Sequence, residues 1–147
     1  MFVVDTNILL YAADQHAPEH EAARRLVEAW RRQSGAWYVT WGIVYEFLRV
    51  ATHPRVFRQP WSCAGAWEFI EALLSAPSLR VLSESERHAA VVRETLSVVP
   101  EVSGNLVFDM HTAVLMKEHG VREIYTRDMD FHRFPFLSVV DPIAKAR

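Results

Sequence analysis

Near its start the chain carries the stretch Phe2-Val3-Val4-Asp5-Thr6-Asn7, which indicates the fold class. Three consecutive apolar residues are typical of a short strand that is buried on both faces, as in a parallel sheet. In open parallel sheets ligands bind beyond the carboxyl ends of the strands, so Asp5 lies where a functional side chain is expected. Asp5 could also serve only as the N-cap of a following helix.

Outward from this strand, short β-rich runs alternate with segments of helical period. Further strands are predicted at residues 37–39, 79–82, 123–126 and 137–140. Helices are predicted after Pro18, after the N-cap residue Thr40, at residues 63–74, at residues 85–98 with Ser85 as the cap, and from the cap residue Ser103 to Gly120. We therefore expect an α/β fold, a three-layer α/β/α sandwich around a mainly parallel sheet of roughly five strands.

Composition sets the scale of the molecule. With 147 residues, of which 50% are hydrophobic, the chain can bury one core, and we expect a single domain over residues 1–147. Cys63 is the one cysteine, so no internal disulfide is expected. No Cys/His group has the spacing of zinc ligands. No apolar run approaches the roughly 20 residues that cross a bilayer, which predicts a cytoplasmic protein without a membrane partner. The net charge of -2 means that any nucleic-acid binding must come from a local patch.

Three further acidic residues fall where strands end or helices begin. Glu46 lies in the helix after Thr40, Asp109 lies near the start of another helix, and Asp128 follows the strand predicted at 123–126. Each has an ordinary explanation: a solvated pair with Arg49, compensation of a helix dipole, or an Asx turn. Convergence on one site is nevertheless the simpler account of the whole set.

Convergence of carboxylates has a physical consequence. Their mutual repulsion should raise the pKa of at least one of them in the folded protein unless a cation is bound. Magnesium prefers oxygen ligands and keeps several waters, which suits a site without cysteine or histidine ligands, and manganese is an expected substitute. Metal-assisted hydrolysis of a phosphodiester by activated water is the natural chemistry of such a site.

The order and spacing of these elements resemble the PIN domain, specifically the VapC-type ribonuclease toxins of bacterial toxin–antitoxin systems. The matching elements are residues 4–11, 46–50, 104–109 and 125–131, which read VDTNILLY, EFLRV, GNLVFD and YTRDMDF. The resemblance implies an endoribonuclease with an RNA substrate, a homodimer and a cognate antitoxin. It also implies site residues: Asp5, Glu46, Asp109 and Asp128 as catalytic metal ligands, with Asn7, Thr126 and Asp130 as auxiliary groups. One departure from the family's pattern is His111, two positions after Asp109.

Basic residues flank the acidic elements. Arg49 and His53 follow Glu46, and Arg127 lies within the last acidic element. We predict that these three residues contact RNA phosphates, although ordinary solvated charge is the alternative for any one of them. Trp61 follows Pro60 in a connector and is predicted to be exposed at a partner surface.

Two other functions are compatible with parts of the pattern. A PIN fold could bind RNA or a protein partner without cutting, but loss of catalysis usually accompanies loss of an acidic ligand, and none is missing here. A receiver-like signalling domain also gathers carboxylates and magnesium, but it needs a phosphoacceptor aspartate after a middle strand and a late lysine. Here the third strand is followed by Ser83-Glu84 and the late strand by Thr126-Arg127.

Overall fold

The sheet of the computed structural model, which describes residues 1–144, has five strands in the order β3-β2-β1-β4-β5. The strands are β1 (Phe2–Val4), β2 (Trp37–Thr40), β3 (Leu79–Leu82), β4 (Glu123–Tyr125) and β5 (Ser138–Val140). Every pairing in this sheet is parallel. The predicted fold class is confirmed, and the strand bounds differ from the predicted ones by one residue at β2, β4 and β5.

Helices connect the strands and cover the sheet. They are α1 (Thr6–Ala13), α2 (His20–Arg32), α3 (Trp41–Ala51), α4 (Cys63–Leu74), α5 (His88–Val98) and α6 (Leu106–Glu118), with a short 3-10 helix at Met129–Arg133. Right-handed crossovers in this strand order place α1 to α4 on one face of the sheet and α5 and α6 on the other. Within residues 1–144 no helix combines the length and the apolar character needed to span a bilayer.

The strand order reverses at β1. The chain steps from β1 to β2 and β3 on one side, then crosses back to β4 and β5 on the other side. Val4 is in register with Tyr125, so the residues that follow β1 and β4 are neighbours. The backbone N–H of Asp5 donates to the Tyr125 carbonyl at 3.0 Å, which holds the two strand ends together. A ligand site is expected at such a reversal of strand order.

The core fixes the elements that carry the acidic residues. Val3, Val4 and Ile124 of the two central strands are completely buried, as are Ile8 of α1 and Phe47 of α3. Burial of each such side chain contributes roughly 1.5–3 kcal/mol relative to an exposed position. The helices and strands around β1 are therefore held by apolar contacts, and the polar site residues do not have to supply the stability of the fold.

Helix ends show which capping predictions hold. The Thr40 side chain caps α3 by accepting the Ile43 N–H at 3.1 Å, and Gly120 has the positive φ of 68° expected after a helix end. The Ser85 hydroxyl accepts the Arg87 N–H at 3.2 Å, but α5 begins only at His88. Ser103 as a side-chain cap is wrong, because Gly104, with φ of 57°, turns the chain first and Asn105 takes the cap position of α6.

The prediction that Trp61 is exposed is also wrong. Its side chain is half-buried and packs against the core. The ring centroid of Trp61 lies 5.6 Å from that of Phe69, 6.2 Å from that of Phe57 and 6.3 Å from that of Phe47. Edge contacts between aromatic rings at these separations are favourable, so the connector folds back onto α3 and α4.

Candidate metal centre

Asp5 lies at the carboxyl end of β1 and is also the N-cap of α1. Its Oδ1 accepts the Thr6 N–H at 2.8 Å, and its Oδ2 accepts the side chains of Asn7 at 2.8 Å and Thr126 at 2.7 Å. The residue is only 6% exposed. The interpretation of Asp5 as a helix cap is therefore confirmed, and the same carboxylate also faces the acidic cleft, so its functional role stays a prediction.

Thr126 and Asn7 join the end of β1 to the end of β4. The Thr126 hydroxyl donates to Asp5 and accepts the Asn7 side-chain amide at 2.9 Å and the Asp128 N–H at 2.9 Å. This uses the one proton and both lone pairs of the hydroxyl. The Asn7 Oδ1 accepts the Arg127 N–H at 3.2 Å. These two predicted auxiliary residues hold Asp5 and Asp128 in place.

Glu46 reaches the site from α3. Its Oε2 accepts the Thr6 hydroxyl at 2.8 Å, and its Oε1 lies 3.7 Å from the Arg49 guanidinium. The Glu46 side chain is 49% exposed, so the pair with Arg49 is a weak surface interaction. Thr6 was not predicted as a site residue, although its position directly after Asp5 could have suggested a hydroxyl group at the same strand end.

Asp109 and Asp128 approach each other from α6 and from the turn after β4. Carboxylate oxygens of Asp109, Asp128 and Asp130 all lie within 4.8 Å of one another. Asp128 caps the 3-10 helix by accepting the Asp130 N–H at 2.9 Å, and Asp130 itself is exposed. The structure therefore places Asp130 beside the other two aspartates. Within residues 1–144 the Asp109 carboxylate accepts no hydrogen bond.

The acidic residues surround a cleft of about 170 Å³. All four predicted ligands line this cleft, together with three neighbours from the β1–α1 segment: Asp5, Glu46, Asp109 and Asp128, with Thr6, Asn7 and Leu10. Parallel strands end at one edge of a sheet, so residues that are distant in the sequence meet there.

Crowding and burial raise two pKa values. The pKa of Asp5 rises to about 6, mainly because its burial removes solvent from the charge, while the hydrogen bond from Thr126 opposes the rise and Glu46 and Asp128 add repulsion. The pKa of Asp109 rises to about 7, again by desolvation first and then by the charges of Asp128, Asp5 and Glu46. The predicted rise in pKa is thus present, with desolvation as a larger cause than repulsion.

A divalent cation fits this donor set. Every side chain that faces the cleft with a polar group offers oxygen, apart from the amide nitrogen of Asn7, and hard cations prefer oxygen ligands. Asp5 and Asp109 are destabilised as anions, and a bound cation would relieve both. The cleft can therefore hold a divalent metal ion.

The predicted RNA-contacting residues differ in their surroundings. Arg49 has a side chain that is 69% exposed, whereas the His53 Nδ1 accepts the Arg55 N–H at 3.1 Å. The Arg127 guanidinium is paired with Glu19 at 3.0 Å and with Asp141 at 3.2 Å. RNA contact by Arg49, His53 and Arg127 stays a prediction, and Arg49 is the most accessible of the three.

A model of the family described as PIN domain matches residues 2–137. The chain belongs to the PIN-domain family. This PIN domain is 34% identical to ribonuclease VapC48 of Mycobacterium tuberculosis over 140 residues, which cover 95% of the chain and 96% of that relative. It is 31% identical to ribonuclease VapC33 of the same organism over 147 residues, which cover 97% of the chain and 99% of that relative.

Solved structures share the fold of this PIN domain. VapBC2 from Rickettsia felis, bound to a DNA fragment from its promoter, matches with a TM-score of 0.66 and 16% identity, over 95% of this chain and 96% of that one. VapC20 from Mycobacterium tuberculosis, described as a sarcin-ricin loop cleaving toxin, matches with a TM-score of 0.64 and 19% identity, over 90% and 93% of the two chains.

Proposed function

We propose that this PIN domain is a metal-dependent endoribonuclease that hydrolyses RNA phosphodiester bonds and acts as the toxin of a toxin–antitoxin pair. The observation that carries the proposal is the single cleft in which carboxylates from β1, α3, α6 and the turn after β4 converge. The names of the relatives, which are ribonucleases, support the same activity. Magnesium is the proposed ion, with manganese as a substitute, because the donors are oxygens.

Asp5, Glu46, Asp109 and Asp128 are the proposed ligands and catalytic residues. When bound, the cation would activate a water molecule for attack and screen the charge of the phosphodiester. Asp5 is held by three hydrogen bonds and stays fixed, whereas Asp109 accepts none within residues 1–144 and can turn toward the ion. Such a mixture of fixed and adjustable ligands allows one site to accommodate substrate as well as metal.

Substrate binding must overcome the net charge of -2 and the acidic cleft itself. Arg49 lies one helical turn from Glu46 and its guanidinium is exposed, which supports our proposal that it contacts a phosphate beside the scissile bond. A purely non-cleaving RNA-binding role is the second candidate. It does not explain why four carboxylates should be gathered where they repel nucleic acid.

Protein partners are proposed from the exposed apolar residues next to the site. Tyr45 and Phe108 directly precede Glu46 and Asp109 in the sequence and are 68% and 73% exposed. Large exposed apolar side chains mark interaction surfaces. The name of the solved neighbour VapBC2 supports our proposal of an antitoxin partner. We also propose that the chain is a single-domain cytoplasmic protein that forms a homodimer.

The test is cleavage of RNA by the purified chain with magnesium, with excess EDTA, and with magnesium restored. We expect cleavage only when magnesium is present, and none from Asp109→Asn under any condition. Glu71→Gln, which removes an exposed carboxylate of α4, is the matched control and should cleave normally. Undiminished cleavage in EDTA would refute the metal mechanism. RNA binding without cleavage by the wild type would favour the non-cleaving alternative.

A further inference from the structure

A second cluster of metal-ligating side chains lies outside the acidic cleft. Glu84 follows β3, His88 is the first residue of α5, and His111 lies in α6. Each offers one ligand atom, and these atoms lie within 4.8 Å of one another. Two imidazoles and one carboxylate are a common ligand set for zinc, with the fourth position left to solvent. We propose that Glu84, His88 and His111 form a Zn²⁺ site.

The distance between Glu84 and His111 is close to the one that zinc requires. The His111 Nε2 lies 2.8 Å from the Glu84 Oε1. Ligand atoms at about 2.0–2.1 Å from a tetrahedral zinc ion are roughly 3.3 Å apart, so this pair has to open by only about half an ångström. The Glu84 side chain is 50% exposed in the segment after β3, so it can move that far without disturbing the core.

Glu118 supplies the outer carboxylate that zinc-binding histidines commonly have. Its side chain has no exposed surface, and its Oε1 accepts the Ser85 N–H at 3.0 Å and the Ser85 hydroxyl at 2.6 Å. Its Oε2 lies 2.7 Å from the His88 Nδ1. Because a carboxylate can only accept, the proton is on the His88 Nδ1, and the Nε2 lone pair is left for a metal.

Two ordinary histidine–carboxylate pairs would be the alternative explanation. The exposed His111–Glu84 pair alone would support nothing more. The His88–Glu118 pair is different, since the Glu118 side chain has no exposed surface and accepts two hydrogen bonds from Ser85, which fix the carboxylate that orients the ring. The two imidazole rings also meet at 85°, with centroids 5.7 Å apart. Glu84 and His88 are four residues apart, but His111 comes from a different helix, which is why no Cys/His group with zinc-ligand spacing is visible in the sequence.

Zinc at this place would join the segment after β3 to the first residue of α5 and to α6. His111 lies two positions after Asp109, so the same helix would carry a zinc ligand and a ligand of the acidic cleft. The two sites should select different ions. Imidazole ligands favour zinc, whereas the all-oxygen cleft favours magnesium. Occupancy of the His88–His111–Glu84 site by zinc should therefore stabilise the fold while magnesium in excess keeps the acidic cleft filled.

The experiment uses the full chain without an affinity tag, stripped of metal and kept in millimolar magnesium so that the acidic cleft is occupied. Zinc is then added in competition with a chromogenic chelator, and the melting temperature is recorded in parallel. We expect one zinc ion per chain and a higher melting temperature. Cobalt in place of zinc should show the strong visible absorption of a tetrahedral site.

Variants decide which residues hold the ion. His88→Gln and His111→Gln should abolish zinc binding, and Glu118→Gln should weaken it by roughly 10- to 100-fold. His16→Gln, which changes an exposed histidine elsewhere, should bind zinc normally. A rise in melting temperature with magnesium shows that each variant is folded. The proposal is overturned if the wild type binds no zinc in magnesium, or if His88→Gln and His111→Gln bind it as tightly as the wild type.

Discussion

Replacing Asp109 by asparagine should stabilise the metal-free protein at alkaline pH while removing its activity. The Asp109 carboxylate is partly buried, accepts no hydrogen bond within residues 1–144, and has a pKa raised to about 7 by desolvation and by the neighbouring carboxylates. Asparagine has nearly the same shape and no charge. The substitution therefore removes an unfavourable charge without removing a contact that the fold uses.

The size of the effect follows from the pKa. A rise from 3.8 to about 7 corresponds to roughly 4 kcal/mol for a fully buried group. Asp109 is partly open to solvent, which screens its charge, so we expect about 1–2 kcal/mol. For a chain of this size that stabilisation corresponds to an increase in melting temperature of about 3–6 °C.

The pH dependence has a definite sign. A carboxyl group whose pKa is higher in the folded state favours folding below its unfolded pKa, and this contribution is lost as the pH rises through the folded value. For Asp109 this contribution is lost between the ordinary pKa of 3.8 and the folded pKa of about 7. The advantage of Asp109→Asn should thus be absent near pH 4 and complete above about pH 8.

Thermal melting followed by circular dichroism measures this prediction, in EDTA and in magnesium, at low and high pH. Magnesium should raise the melting temperature of the wild type more than that of Asp109→Asn, because the variant has lost a ligand. Glu71→Gln should match the wild type in every condition. If Asp109→Asn melted below the wild type in EDTA at high pH and the difference disappeared at low pH, the Asp109 charge would instead stabilise the protein by compensating the dipole of α6.

Three further predictions concern Arg49, Thr126 and the pH dependence of magnesium binding. Arg49→Ala should weaken RNA binding and reduce the salt dependence of that binding, while magnesium affinity stays unchanged. Titration at several ionic strengths measures both, and a loss of RNA affinity that did not depend on salt would point to the pair with Glu46 instead. Thr126→Val should lower the unfolding free energy by about 1–3 kcal/mol in urea, because it leaves buried partners unpaired, whereas Thr52→Val at a solvent-accessible helix end should cost less. Magnesium affinity should fall as the pH drops through about 7 and then about 6, because Asp109 and then Asp5 take up protons. Calorimetric titration measures the affinity, and a constant value between about pH 5 and about pH 8 would contradict the prediction.

The fold could be predicted because its signals are local. Three apolar residues before Asp5, the cap at Thr40 and the glycine at Gly120 each act through their own neighbours, and all three predictions hold. The convergence of Asp5 with Asp128 could also be predicted, since residues that follow adjacent parallel strands must meet at one edge of the sheet.

The prediction that Trp61 is exposed failed because it depended on contacts between distant segments. Trp61 follows a proline in a connector, which favours exposure, yet Phe69 from α4 covers one side of its ring. The ion pairs of Arg127 with Glu19 and Asp141, which the sequence did not indicate, also join residues that are far apart in the chain, and they leave its predicted RNA contact untested. Such pairings depend on how connectors lie over the sheet, and hydrophobic periodicity carries no information about that.

Asp5 combines a structural role as a helix cap with a proposed role as a metal ligand. The Asp5 carboxylate is the acceptor in all three of its hydrogen bonds. The side-chain NH₂ of an asparagine at this position would point at another donor, either the Asn7 amide or the Thr6 N–H. The pKa of Asp5 is raised to about 6, so its charge opposes folding at neutral pH. In the asparagine variant, however, some of the three donors would lose their acceptor, and that loss would also oppose folding. Asp5→Asn therefore mixes relief of charge with loss of a cap. Asp109→Asn removes charge alone, which makes Asp109 the residue at which the metal hypothesis can be tested without disturbing the fold.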